Sequence, residues 1–371
     1  MDLSLTEEQV ALEDSVRALL EDKYPLMAVR QCEEHPEDAR ALYGSLFELG
    51  IGGMTMPAAL GGLDLGLTEL AVVHHELGAA LAPMLFAQST VLAAEILAAL
   101  PGPASEAALP ALMDGSAMAS CAIAVGPDAL LPQLDPEATE PRLNGAAEFV
   151  PEGALADLLV VEARTSTGEP AICLVDRAAA GIAMEDLPNL ADLAMSRIAF
   201  TQTPVRAVLA TGAAAAAALG KARSAMNVAI AAQAVGGAER VLGMTRDYAC
   251  TRKQFGQPIG GFQAIAHMLA SAVVNLEGAR YLVFRAAAAS EDGEPLETWA
   301  AMAKLKACQM FRDVSALAIQ VHGGIGFTME ADPQLFFRRA KHLQLMHGEP
   351  LDLEEQIGES LISGRHRVLA A

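Results

Sequence analysis

The chain has 371 residues, 53% of them hydrophobic, enough apolar material for a large core and, by length, for two or three domains. Asp and Glu number 46 against 25 Lys and Arg, a formal net charge of −21; this argues against an extended nucleic-acid surface or a general attraction to anionic lipid, and leaves room for a local basic site for a phosphorylated ligand. Cys32, Cys121, Cys173, Cys250 and Cys308 stand singly, with no C-x-x-C pair and no histidine at metal spacing, as reduced thiols of a cytoplasmic protein would.

The opening MDLSLTEEQ is acidic and polar where a signal peptide is basic and then apolar, so no targeting segment is expected. Thr6 followed by Gln9 is a capping-box pattern, and Val10, Val16, Leu19 and Leu20 recur behind it at helical spacing. Further helices are expected over 39–49, ending at Gly50, and over 68–77, 83–100 and 105–113, with turn formers around Pro57 and Gly61 between them. From Ala117 the texture changes to short β-prone runs, 121–125, 147–150, 158–162 and 171–175, alternating with Gly, Pro and Asp. Helical patterns then return at 213–250, 262–289, 297–321, 333–346 and 351–363. The most apolar run, 213–235, is interrupted by Lys221, Arg223 and Asn227, so it reads as a helix buried among helices and not as a membrane span. The expected architecture is mainly α with a small central β domain: a helical domain over 1–116, a β domain over 117–206 and a C-terminal helical bundle over 207–371.

The stretch 252–267, RKQFGQPIGGFQAIAH, reads as a helix–turn–helix corner, with Gly256 free to take an unusual backbone angle and Pro258 ending the first helix. Arg252 at such a corner turns a rigid five-donor fork outward, and the new helix start offers unpaired N–H groups, together a seat for an anion such as a pyrophosphate. An arginine that merely solvates helix-end carbonyls has the same sequence.

The same chain carries Gln320-Val-His-Gly-Gly-Ile-Gly326 and then Arg338, Arg339, Ala340 and Lys341. In these stretches it resembles the acyl-CoA dehydrogenase family, which shows R-x-Q-F-G-x-P-I-x-x-F-Q and Q-x-x-G-G-x-G in this order and at about this separation. The wording GIGGMTMP, GGLDLG and HELG in the first domain is similar to the family as well, and the order helical, β, helical is the family's. The resemblance implies FAD as cofactor, an acyl-CoA thioester as substrate, and a reaction in which a carboxylate removes the α-proton while the β-hydride passes to the flavin. It implies that Arg252, Gln254 and Phe255 hold the pyrophosphate of a neighbouring subunit's FAD, and that Gln320, Gly323 and Gly324 approach its adenosine side.

Other family positions are changed. Where the family has T-E-P-G-x-G-S-D, residues 122–131 read AIAVGPDALL, without the threonine or serine that contact flavin and substrate. Where the family has an aromatic–Ile–Thr run beside the flavin, this chain has Phe149, Val150 and Pro151. His347 stands at the family's usual glutamate, Met226 near its alternative position; Glu239 and Glu349 are displaced from both. His347 could take a proton by its ordinary pKa. His322 reads as a residue that orients backbone, His267 as a buried or interfacial histidine, and Glu33-Glu34 and Glu354-Glu355 as solvated faces.

One kept half-site and one lost half-site is the pattern of a subunit that completes the cofactor pocket of a paralogous acyl-CoA dehydrogenase chain in an α2β2 heterotetramer, an arrangement the family uses for bulky acyl groups such as steroid side chains. A self-sufficient homo-oligomeric enzyme with a non-standard base, and a non-redox acyl-CoA-binding or scaffold subunit, are the alternatives.

Overall fold

The computed structural model describes residues 4–126, 129–136, 139–291 and 294–364. In chain order the helices are α1 (Glu7–Lys23), α2 (Leu26–Glu34), α3 (Ala39–Glu48), α4 (Leu67–Ala79), α5 (Leu85–Ala87), α6 (Ala94–Ala99) and α7 (Pro103–Asp114). Eight strands follow: β1 (Ala119–Ala122), β2 (Gln133–Leu134), β3 (Arg142–Pro151), β4 (Leu158–Thr165), β5 (Pro170–Asp176), β6 (Ile182–Asp186), β7 (Met195–Pro204) and β8 (Ala207–Thr211). Then come α8 (Gly212–Thr251), the short strands β9 (Lys253–Gln254) and β10 (Gln257–Pro258), and α9 (Gln263–Glu291), α10 (Leu296–His322), α11 (Pro333–Leu345) and α12 (Pro350–Ile362). The fold is mostly helical with a central β sheet, as the residue pattern predicts.

Local rules account for most boundaries. The capping box of α1 is formed: the Thr6 hydroxyl accepts from Gln9 N–H, and the Gln9 side chain accepts from Thr6 N–H. Gly50, at φ +76°, follows α3 where the sequence reading ends that helix. The expected helix over 83–100 runs unbroken from α5 to α6, with a π-helical segment over Gln88–Ala93 between them. Five of the elements before α8 lie outside the sequence expectation: α2, β2, β6, β7 and β8. α2 is short and follows Pro25. β7 carries Ile198 and Phe200 inward, but among polar neighbours. β8 reads Ala-Val-Leu-Ala-Thr and merges in composition with the alanine-rich helix after it, so that β structure runs to Thr211, past residue 206.

The chain forms two compact units. The first comprises residues 1–29, 67–82 and 227–371, the second 30–66 and 83–226. In the first, α1 packs on α4, α4 on α9, α9 on α10, and α10 on α11 and α12. In the second, the sheet runs β6-β7-β3-β2-β4-β5-β8, with β1 parallel to β4. Alternate residues of β3, β4 and β5, among them Leu143, Leu159, Val161, Cys173 and Val175, fill its apolar core. Each fully buried aliphatic side chain there contributes on the order of 2 kcal/mol. Among the described residues, no helix is long and apolar enough to cross a membrane.

Candidate functional site

The corner after α8 is a β-hairpin, where the sequence reading expects a helix continued to Pro258. α8 stops at Thr251, and β9 and β10 pair in register, Gln254 with Gln257 and Lys253 with Pro258. The two turn residues, Phe255 at φ +53° and Gly256 at φ +84°, both adopt the left-handed conformation that a two-residue hairpin demands. Glycine takes it freely; phenylalanine does so at a cost. Pro258 sits in a two-stranded ribbon, where its missing N–H is tolerated. Arg252 anchors the base of the ribbon: its N–H donates to Tyr248 O at 2.8 Å and its carbonyl accepts from Ile259 N–H at 2.9 Å. The turn carries Phe255 into solvent, 93% exposed, with an edge-on contact to Phe262 at 6.1 Å between centroids.

The glycine loop lies at the end of α10. Gly323, at φ +67°, caps the helix, and Gln320, Gly323 and Gly324 are exposed. The Tyr248 ring stacks on His322 with centroids 4.2 Å apart and planes 23° off parallel, which joins the ends of α8 and α10. All six residues expected to bind the pyrophosphate and adenosine side therefore belong to one unit, on two helix ends held together by one ring pair. Tyr248 itself escaped sequence reasoning; an aromatic one turn before the Arg252 corner was the available signal. His322 Nδ1 donates to Ala318 O, one turn back within α10, at 2.8 Å, which fixes its tautomer.

Two observations bear on whether this end fits a dinucleotide pyrophosphate. The Arg252 side chain makes no hydrogen bond or ion pair with any described residue, so its fork is uncommitted. Gly324 has an ordinary φ, and a Cβ built on it meets nothing within 4 Å. Nothing inside the unit demands glycine there, whereas close approach by an outside group would. This end fits.

The second unit presents the stretches where the family keeps its flavin-ring contacts, 122–131 and 149–151; Pro127 and Asp128 lie outside the described residues. Ser120 Oγ donates to Pro151 O at 2.6 Å, drawing the two stretches side by side. Phe149 sits at φ +56° where the β3–β7 register shifts between Ala147 and Val150, a bulge that leaves its ring half-exposed. Behind the loop after β1, the buried Glu162 carboxylate on β4 accepts from Ala124 N–H at 3.0 Å and pairs with Arg223 at 2.8 Å. The same Arg223 nitrogen lies 3.4 Å from Ala124 O. The side chains offer a flavin no hydroxyl, and Ala124 N–H is already used; this edge does not fit a flavin ring.

No carboxylate replaces the family's base at the positions singled out by sequence. His347 is buried at φ +57°, between α11 and α12. Lys304, wholly buried on α10, donates to Gly348 O at 2.5 Å and so pins this turn; burial pulls its amine down to about 8. Glu349 caps α12, its side chain accepting from N3 backbone in a capping box with Asp352. Met226 is fully buried. Glu239 is engaged by His75 at 2.9 Å and Arg280 at 2.6 Å, which hold its carboxyl at about 2, too low for a general base near neutral pH. His267 is exposed, at the rim of a groove of about 390 Å³ between α9 and α10, where the sequence reading expects a buried or interfacial residue. Helix α9 is apolar on more than one side, which is why facing could not be read from its pattern.

A helical–β–helical chain with a basic, glycine-lined end for an anionic cofactor is the architecture of the acyl-CoA-oxidising flavoproteins. Residues 6–116 match the family model for the acyl-CoA dehydrogenase N-terminal domain and 224–361 that for the C-terminal domain. The acyl-CoA dehydrogenase IpdE2 of Mycobacterium tuberculosis is 31% identical over 317 residues, 84% of this chain and 85% of that protein. The NADH-dependent acryloyl-CoA reductase of Anaerotignum propionicum is 28% identical over 94% of this chain and 93% of its own. Among solved structures, a variant of the Tcur3481-Tcur3483 steroid ACAD superposes with a TM-score of 0.87 at 29% identity, covering 96% of this chain and 98% of that one. The ChsE4-ChsE5 complex from Mycobacterium tuberculosis gives 0.86 at 27%, covering 98% and 99%. The chain belongs to the acyl-CoA dehydrogenase family, whose members are FAD-binding flavoproteins.

Proposed function

We propose that this chain is the completing subunit of a hetero-oligomeric acyl-CoA dehydrogenase, supplying the FAD pyrophosphate and adenosine side of a site whose flavin ring and base belong to a paralogous chain in an α2β2 assembly. The observation that carries the reading is the contrast between an uncommitted Arg252 beside an open glycine loop and a ring-facing edge with no free donor at Ala124. The names of two structural neighbours, a steroid ACAD and a two-component complex, support it and suggest a bulky acyl-CoA substrate. The three-domain division at 116 and 206 goes with this reading.

Bound FAD supplies the acceptor for the β-hydride that an acyl-CoA loses once its α-proton is removed, giving the enoyl-CoA. The work of this chain is orientation. Arg252 binds pyrophosphate oxygens through charge-assisted bonds, a contribution of about 1.5–3 kcal/mol. Gly323 and Gly324 let backbone approach the adenosine side, Gln254 and Gln320 add polar contacts, and Phe255 shields the phosphates from water. The reading is tested by flavin content: little in the chain purified alone, and roughly one flavin per two chains in the complex co-produced with its paralogue. Near-stoichiometric flavin in the lone chain would sink it.

A second reading rests on His347, a buried imidazole in a turn that Lys304 pins: a homo-oligomeric enzyme using this histidine as base. Dye-linked activity of the lone chain, abolished by His347→Ala, would favour it over the first.

A further inference from the structure

We infer that Glu162 and Arg223 form a latch that closes this chain's own flavin-ring edge, so that FAD meets the chain only through the residues of the first unit. The inference deepens the completing-subunit reading and rests on it. Its grounds are geometric and lie wholly within the second unit. The loop after β1 is half-buried, yet Ala124 N–H turns inward, to Glu162 Oε2 at 3.0 Å. That oxygen also accepts from Arg223 Nη2 at 2.8 Å, and the same nitrogen reaches Ala124 O at 3.4 Å, so both backbone groups of one residue are drawn to one ion pair. The Glu162 side chain is 5% exposed, so the pair is weakly screened and its hydrogen bonds are correspondingly strong.

The chemistry of the flavin makes this arrangement decisive. The pyrimidine edge of the ring is a row of acceptors and gains negative charge on reduction, so it needs donors or net positive charge opposite it. Here the donor at Ala124 is spent on a carboxylate. The arginine that could have supplied positive charge is neutralised by the same carboxylate. Ser120, the hydroxyl nearest in sequence, is turned to Pro151 O. Freeing Ala124 N–H would leave Glu162 a buried anion short of one partner, which opposes any rearrangement toward the ring.

The test uses two probes that split FAD chemically: riboflavin, which has the ring and no phosphate, and ADP, which has the phosphates and no ring. The full wild-type chain is expected to leave riboflavin fluorescence unquenched and to show slow amide exchange over 122–126 that riboflavin does not alter. Glu162→Ala is expected to speed exchange of that segment, and to strengthen riboflavin quenching, by about tenfold or more. Should that variant not fold, Glu162→Asp, which keeps the charge and shortens the reach to Ala124, is expected to speed the same exchange. Riboflavin quenched by the wild type, fast wild-type exchange at Ala124, or a folded Glu162→Ala that still ignores riboflavin overturns the latch. ADP and the complex with the paralogue separate this failure from that of the parent reading. A chain that binds ADP through Arg252 and also binds riboflavin loses the latch and keeps the adenosine half-site, whereas a complex with the paralogue that keeps its flavin when Arg252 is changed to Met keeps the latch and loses the completing role.

Discussion

Phe255 sits at φ +53° with 93% of its surface exposed, a combination that the folding of this chain alone does not reward. A bulky side chain in that conformation costs about 1 kcal/mol relative to glycine, and its exposed ring recovers little of it. Such expenditure is expected where a residue serves a bound group. Phe255→Gly relieves this strain but loosens the unfolded chain by a similar amount, so the thermal midpoint of the isolated chain should stay within about 1 °C of wild type while flavin retention in the assembled complex weakens. A loss of both, read by calorimetry and by flavin titration, would show that the ring is structural. Arg252 gives the complementary case, since its side chain has no hydrogen bond or ion pair among the described residues. Arg252→Lys keeps the charge and loses the fork, so FAD should bind the complex about tenfold more weakly with the stability of the chain unchanged.

Helices α1, α4, α8 and α9 meet at a polar staple built on His75. Its Nδ1 donates to Glu76 and its Nε2 to Glu239, both at 2.9 Å; Arg280 backs Glu239, and Arg17 joins Glu76 to Glu13. Burial pulls the imidazole pKa down, but the hydrogen bonds to Glu239 and Glu76 outweigh it and raise it to about 9. A raised histidine binds its proton more tightly folded than unfolded. Its contribution is therefore complete below the unfolded value of 6.5 and is lost as pH climbs toward 9. Glu239, held at about 2 by the same histidine, works in the opposite limb: its share is present above 4.5 and lost as pH falls toward 2. The His75 contribution should thus fall from pH 6.5 to 8, while Lys304, whose lowered pKa of about 8 favours the folded state increasingly as pH rises, opposes the decline from about pH 7 upward. His75→Gln should flatten that decline, which denaturant titrations at the two pH values would measure; a slope equal to that of the wild type refutes the staple. Although Glu239 and the HELG stretch at 75–78 were singled out in the sequence, their meeting was not legible, because the members of this network come from four helices distant in the chain. What was legible followed local rules. The cap at Thr6, the stop at Gly50 and the limits of the five C-terminal helices depend on neighbours in sequence, whereas the hairpin at Phe255 and Gly256 was masked by a glycine–proline pattern that also ends helices. The candidate site divides in the same way: the residues of its motifs were found by spacing, while Tyr248, Glu162, Arg223 and Lys304 act through contacts distant in the chain.

At the scale of the molecule, in the completing-subunit reading, the two units carry different halves of the family's cofactor chemistry in different condition. The first keeps an open phosphate-facing end and a histidine where the base is expected; the second has a ring-facing edge already engaged with itself. A chain that had lost its role altogether would have no reason to keep an uncommitted arginine, a strained exposed phenylalanine and an unconstrained glycine together at one end. A chain that catalysed by itself would need a ring-facing edge with free donors. The combination favours an assembly in which activity depends on this chain while proton abstraction occurs in the partner. The two dependences can be separated by variants of this chain alone, assayed in the complex with its paralogue. His347→Ala should leave kcat within about twofold of wild type, because the turn it occupies does no proton transfer in the shared site. Arg252→Met should lose most of the bound flavin, and the activity with it, recoverable in part by added FAD. If instead His347→Ala abolishes turnover while flavin stays bound, proton abstraction belongs to this chain, and the homo-oligomeric reading replaces the shared one.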